Sequence, residues 1–312
     1  MSAPRYAVVT VSYNADAAVL KRQLASLGDA AVRVLVDNGS LPAVAAAARA
    51  AANELGAVFL PQARNLGLAA ALNVGAAAAL ERAPDCAYLI FLDDDTEPAA
   101  GAVAQLVDAA AALWAADPAT GLVGPVMVDA ASGLSHGVHR IRGWCWTREY
   151  PGPAQRPMRC ASINGSGMTV AVGTWRQLGG FDEALFLDHV DSEYSFRALH
   201  AGLTLYTVPA IRFAHRMGER SVRIWLGGWR VWPYRSPMRH RYLFRNAILL
   251  LRRDYVPAIW KIWAIAKLLL TVSVHLAADR NRFRQFAAMA GGTWAGLRRD
   301  GNDRPAPVRK QP

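Results

Sequence analysis

The 312-residue chain has only three cysteines, Cys86, Cys145 and Cys160, with no CxxC or Cys/His zinc spacing. That excludes a disulfide framework and fits a reducing compartment. No G-x-G-x-x-G follows the first strand-like run and no P-loop occurs, which argues against a dinucleotide dehydrogenase and a P-loop kinase. Met1-Ser2-Ala3-Pro4-Arg5 lacks the basic segment and apolar core of a signal peptide, so a cytosolic starting location is expected. Acidic residues are scarce in the back half: residues 197–312 hold 22 Lys and Arg against 5 Asp and Glu, while residues 1–196 hold 13 against 19. A back half at +17 behind a front half at −6 implies that the back half meets a polyanion, whether anionic lipid, a phosphorylated acceptor or nucleic acid.

What is present is organised around Leu89-Ile90-Phe91-Leu92-Asp93-Asp94-Asp95-Thr96-Glu97-Pro98. An apolar run without polar alternation reads as a strand covered on both faces. Three carboxylates then fall just beyond its carboxyl end, where open α/β sheets place their ligands. Adjacent carboxylates repel one another and favour protonation of at least one, unless a cation joins them. Hard oxygen ligands suit Mg²⁺ or Mn²⁺, ions that commonly arrive with the phosphates of a substrate. The alternative is an acidic surface loop.

The flanking chain alternates strands and helices. Residues 6–14, 32–40 (closed by an Asp-Asn-Gly-Ser turn), 57–60 and 121–128 read as strands; 44–55, the Ala/Leu stretch after Asn65-Leu66-Gly67, and 101–114 read as helices. That alternation predicts an α/β fold with a doubly wound, mostly parallel sheet. Asp37 and Asn65 stand at strand ends, where they either contact a nucleotide or serve turn chemistry. Residues 129–160, with Trp144 and Trp146, read as an irregular excursion, and 164–172 as a returning strand whose glycines, Gly165 among them, allow close backbone approach.

Asp188-His189-Val190-Asp191-Ser192-Glu193 forms a second constellation. A helix is expected to begin near Val190, with Asp191 in its first turn; Asp191 and Glu193 either cap that helix or act on substrate. His215, after a further strand, is a plausible third metal ligand beside the acidic site.

Val11-Ser12-Tyr13-Asn14, Val36-Asp37-Asn38-Gly39-Ser40, Asn65-Leu66-Gly67 with Asn73 and Gly75, and Leu92-Asp93-Asp94-Asp95-Thr96 together resemble the donor half of a family 2-type glycosyltransferase of GT-A fold. Gly179-Gly180-Phe181-Asp182-Glu183 and the 188–193 stretch resemble its acceptor half, closest to the bacterial rhamnosyltransferase branch. The likeness spans about residues 5–220, the donor half about 1–128 and the acceptor half about 129–220. It implies an inverting, metal-dependent glycosyltransferase. Ser12, Asn14, Asp37, Asn65, Asp93 and Asp94 would bind the donor nucleotide, dTDP-rhamnose or a UDP-sugar. Asp93 and Asp95, the outer residues of a DxD motif, would hold Mg²⁺ or Mn²⁺ with His215. Asp191 would be the general base, with Asp188 its rival. Trp144, Gly165, Asp188 and Glu193 would lie on the acceptor side, facing a glycan or polyprenyl-diphosphate-linked acceptor. Many relatives carry Glu-Asp at the base; here Val190 precedes Asp191, a form that the rhamnosyltransferase branch tends to show.

Residues 221–302 lie outside the likeness. Arg220, Arg223, Arg230, Arg235, Arg239, Arg241 and Arg245 interleave with Trp225, Trp229, Trp232 and Tyr234, and the apolar stretch 258–270 is interrupted by Lys261 and Lys267. The uncharged run 268–278 is too short to span a bilayer. The region reads as basic helices lying on an anionic membrane surface at the inner face of the cell membrane, or as packing on the core or in a homodimer. No nucleic-acid-binding motif accompanies the Arg–Trp pattern, so nucleic acid is not expected. Residues 303–312 read as a disordered tail. A non-catalytic scaffold on a nucleotide-sugar fold and a glycoside hydrolase with paired carboxylates are the competing function classes.

Overall fold

The computed structural model describes residues 4–130, 133–215, 221–225, 229–233 and 235–298, with backbone alone between 221 and 233. The expected disordered tail, Arg220 and Tyr234 lie outside the described residues, as do the side chains of Arg223, Trp225, Trp229, Arg230 and Trp232.

The elements run β1 (Tyr6–Ser12), α1 (Ala17–Ser26), β2 (Val32–Asp37), α2 (Pro42–Glu54), β3 (Val58–Pro61), α3 (Leu68–Arg82), β4 (Tyr88–Asp93), β5 (Thr96–Glu97), α4 (Ala102–Ala116) and β6 (Thr120–Asp129). There follow β7 (Val138–Arg142), β8 (Cys145–Glu149), β9 (Met158–Cys160), β10 (Met168–Ala171), α5 (Val172–Leu178), a 3₁₀ turn (Glu183–Leu185), α6 (Val190–His200) and β11 (Thr204–His215). A hairpin of β12 (Ser221–Trp225) and β13 (Trp229–Pro233) precedes α7 (Pro237–Leu251), α8 (Ala258–Ala278) and α9 (Arg282–Arg298).

The main sheet runs β3-β2-β1-β4-β10-β6-β11-β5, with β9 also on β11. β3, β2, β1 and β4 are parallel, and so are β6 and β11. β10 lies antiparallel between β4 and β6. The β4 run is apolar throughout because the sheet is covered on both sides. Leu89 and Phe91 enter a core with Val9, Ala76, Leu178 and Tyr194, while Ile90 and Leu92 enter another with Val8, Leu20, Leu24 and Leu106. Gly75 is where α3 presses on Val9, leaving no room for a β-carbon.

Three expectations need correcting. The 129–160 excursion is ordered as the β7–β8 hairpin and β9, because Trp146 stacks on His139 at 5.3 Å and packs near Trp263 of α8 at 6.1 Å. The strand foreseen over 164–172 begins only at Met168 and passes at once into α5. The C-terminal region opens with the β12–β13 hairpin rather than a helix. Beyond it, Phe196, Leu250, Val256, Trp260 and Ala264 form a third core that fastens α7 and α8 to α6. Helix α8 is 21 residues long, so counted as a whole helix, Lys261 and Lys267 included, it is long and apolar enough to cross a bilayer; 22% of its most apolar window is buried.

Candidate active site

Parallel β4 delivers Asp93 to the carboxyl edge of the sheet, and β5 folds back to pair Thr96 with His215 at the end of β11. Ligand atoms of Asp93, Asp95 and His215 all come within 4.8 Å of one another. His215 Nδ1 lies 3.1 Å from Asp95 Oδ1 and 3.0 Å from Thr96 Oγ1. Ser166 Oγ donates to Thr96 Oγ1 at 2.7 Å and accepts the Asp93 backbone N–H at 3.0 Å. From α1, Gln23 Nε2 donates to the carbonyls of Asp93 and Thr96, each at 2.7 Å. Thr96 closes the acidic motif in the sequence, but the parts that Gln23, Ser166 and Thr96 play here become visible only when four distant segments meet.

Burial, then the charges of Asp95 and Asp94, push the Asp93 carboxyl up to about 7, with His215 acting the other way. Burial likewise pushes Asp94 up to about 6. Burial would lower His215, but its hydrogen bond to Asp95 and the charges of Asp95 and Asp93 hold it above the usual range. Two carboxylates and an imidazole brought this close together suit a divalent cation, which would offset the crowded negative charge.

At the adjoining strand ends, Ser12 and Asp37 are paired residues of β1 and β2. Both are buried, and among the described residues Ser12 Oγ and Asp37 Oδ1 have no hydrogen-bond partner. Buried polar atoms left unpaired in this way are uncommon, and a ligand-facing position is one way to account for them. Asn14 and Asn65 also hold the loops in place through their side-chain oxygens. Asn14 Oδ1 accepts the Leu41 N–H at 2.9 Å; Asn65 Oδ1 accepts the Gly67 N–H at 2.9 Å and the Asn38 amide at 3.2 Å. Asn73 is a bracket across 108 positions: its amide donates to the Phe181 carbonyl at 2.9 Å and accepts the Phe181 N–H at 2.8 Å. A β-carbon on Gly180 would stand 2.6 Å from Asn73 Oδ1, which accounts for the glycine there.

Asp191 stands in the first turn of α6, half-buried, and its charge is among those raising Asp93. Its Oδ1 accepts the Ser192 N–H at 2.7 Å. Gly165 lies opposite; a β-carbon there would meet the Asp191 β-carbon at 3.6 Å. The other two acidic residues of the constellation are engaged elsewhere. The Asp188 side chain is 6% exposed, with Oδ1 at 2.5 Å from Arg235 and 3.3 Å from Arg239. Glu193, expected on the acceptor side, is fully buried instead. Arg197 donates to its two oxygens at 3.0 and 2.8 Å and Tyr255 at 2.6 Å. Trp144, at the tip of the β7–β8 hairpin, is 89% exposed.

Residues 7–154 match the family model "Glycosyl transferase family 2". The chain is 28% identical over 247 residues to a dTDP-rhamnosyl transferase, RfbF, of Shigella flexneri, covering 75% of this chain and 76% of the relative. It is 29% identical over 246 residues to an N-acetylglucosaminyl-diphospho-decaprenol L-rhamnosyltransferase of Mycobacterium tuberculosis, over 69% of this chain and 77% of that one. Among solved structures, S. aureus TarS superposes with a TM-score of 0.53 at 15% identity, over 93% of this chain and 49% of the longer TarS chain. That likeness is one of fold, and the fold is GT-A.

Proposed function

Since the chain is a family 2 glycosyltransferase of rhamnosyltransferase-like sequence, we propose that it transfers L-rhamnose from dTDP-rhamnose, with inversion, to a hydroxyl of a lipid-linked glycan. The observation that carries the chemistry is the Asp93–Asp95–His215 cluster beside Asp191. Asp93, Asp95 and His215 would hold Mg²⁺ or Mn²⁺. Such an ion acts as a Lewis acid toward the charge on the departing nucleoside diphosphate. Ser12 and Asp37, with unpaired buried acceptors, receive the nucleoside. The acceptor oxygen attacks the anomeric carbon from the face opposite the diphosphate, the carbon–oxygen bond to the diphosphate breaks, and the acceptor proton passes to the Asp191 carboxylate. Asp188 does not compete for this role in the proposed scheme, because two arginines hold its charge.

A lipid-linked acceptor, and work at the inner membrane face, are supported by the C-terminal helices. α8 exposes Ile262, Ile265 and Leu269, and α9 exposes Phe283, Phe286, Trp294 and Leu297, at spacings that place each set along one side of its helix. Arg280, Arg282, Arg284 and Arg298 accompany them, the pattern of a helix lying in an anionic interface.

The test is calorimetric binding of dTDP-rhamnose against UDP-glucose, UDP-galactose and GDP-mannose, each with Mn²⁺ and with chelator. Metal-dependent preference for dTDP-rhamnose supports the reading. Preference for a uridine donor overturns the rhamnosyl assignment and leaves the glycosyltransferase intact.

A further inference from the structure

The loop that leads into Asp191 has an unusual backbone. Phe186, Asp188 and His189 all have positive φ, of 61°, 58° and 63°. Each such non-glycine residue costs on the order of 1 kcal/mol or more and persists only where surrounding contacts impose it. Leu68 N–H at the start of α3 donates to the Phe186 carbonyl at 2.5 Å and Trp260 of α8 packs on His189, but most of the contacts come from α7, some sixty positions later and outside the residues that match the family model.

Asn246 is fully buried, and its side-chain amide faces three carbonyls of the loop: Leu185 at 2.6 Å, Asp188 at 2.9 Å, and Leu187. Its orientation is set by the preceding residue. Arg245 Nη1 donates to Asn246 Oδ1 at 2.8 Å, while Arg245 Nη2 donates to the Ala184 carbonyl at 2.8 Å. Phe186 stacks on Tyr242, with ring centres 4.8 Å apart. Arg235 and Arg239 close on the Asp188 carboxylate. Every residue from Ala184 to Asp188 is thereby gripped by α7 or the turn before it.

We infer that Asn246 is a positioning residue for catalysis: it holds the 185–188 loop so that α6 begins at Val190 and Asp191 stands opposite Gly165. The inference rests on Asp191 being the general base. An asparagine is required because only an amide offers N–H groups to the loop carbonyls and an oxygen to Arg245 at once. An aspartate of the same shape would turn an acceptor toward three acceptors. The loop would relax away from its positive-φ conformers, carrying Asp191 with it. Displacements on the order of 1 Å at a reacting group cost roughly a hundredfold in rate.

The experiment compares wild type with Asn246→Asp, and with Arg239→Gln as a milder second variant, since Arg239 is half-exposed and only one of two arginines on Asp188. Metal-dependent binding of dTDP by calorimetry counts competent sites, and transfer is then expressed as kcat per competent site. The expected result for Asn246→Asp is a dTDP Kd within about twofold of wild type with kcat down roughly a hundredfold; Arg239→Gln should fall about tenfold. Should Asn246→Asp fail to bind dTDP, Arg239→Gln alone decides. A kcat per site within threefold of wild type in a folded variant, with only Tm lowered, would show the grip to be structural and overturn the inference. Absence of transfer by wild type itself would instead sink the proposed activity.

Discussion

The backbone N–H of Tyr13 donates to Asp94 Oδ2 at 3.0 Å. This bond gives the three adjacent carboxylates different roles, since Asp94 is turned to the end of β1 while Asp93 and Asp95 join His215. Metal affinity should therefore fall severely in Asp95→Asn and Asp93→Asn but stay within a few-fold of wild type in Asp94→Asn. Thr96→Ala, which removes the hydroxyl beside His215 Nδ1, should weaken metal binding by about 10- to 100-fold. Mn²⁺ titration by calorimetry or by paramagnetic relaxation reads all four.

Asp191→Asn should lower transfer by roughly 10²- to 10⁴-fold while donor binding is retained. A rate unchanged from wild type removes Asp191 as the base.

Glu193→Ala should act on folding and not on acceptor affinity. The carboxylate is the buried partner of Arg197 and Tyr255, and leaving that arginine unpaired should cost about 3–5 kcal/mol in urea unfolding. A raised acceptor KM at undiminished stability would restore Glu193 to the acceptor site.

The Asp188 carboxyl is pushed up by burial, but the charges of Arg235 and Arg239 outweigh that and hold it below the usual carboxylate range. Its folded-state pKa is thus below its unfolded one. The stability it contributes is present above the unfolded value, near 4, and is lost as pH falls through the folded value. The Tm gap between wild type and Asp188→Asn should be constant from pH 7 to about 5 and narrow below about pH 4.

Phe283 is 81% and Trp294 57% exposed on α9. If they enter a bilayer, each contributes about 1.5–3 kcal/mol. Phe283→Asp or Trp294→Asp should then lower partition onto vesicles containing anionic lipid by tenfold or more, and raised salt should weaken wild-type binding further. Partition indifferent to these changes, with self-association by sedimentation that they abolish, would assign the face to a second copy of the chain.

Local pattern was enough to read the parallel strands, the helices between them and the placing of Asp93 at a strand end. An apolar run such as 89–92 declares double-sided burial by itself, and Gly67, with φ of 89°, sits at the start of α3 as its turn residue should. The first turn of α6 at Asp191 was equally legible, because helix starts are written in neighbouring residues.

What tertiary structure alone decided is who partners whom across long separations. Nothing near Glu193 in the chain distinguishes a catalytic or acceptor-facing carboxylate from one bonded by Tyr255, 62 positions on. Asn73 reads as a nucleotide-side motif residue until it is seen bracketing Phe181, and Asn246 reads as nothing at all. Hydrophobic periodicity is a property of adjacent turns and pleats, so sequence carries it openly. A buried hydrogen bond between residues 60 to 110 apart exists only once the sheet order and helix packing have brought its two ends together.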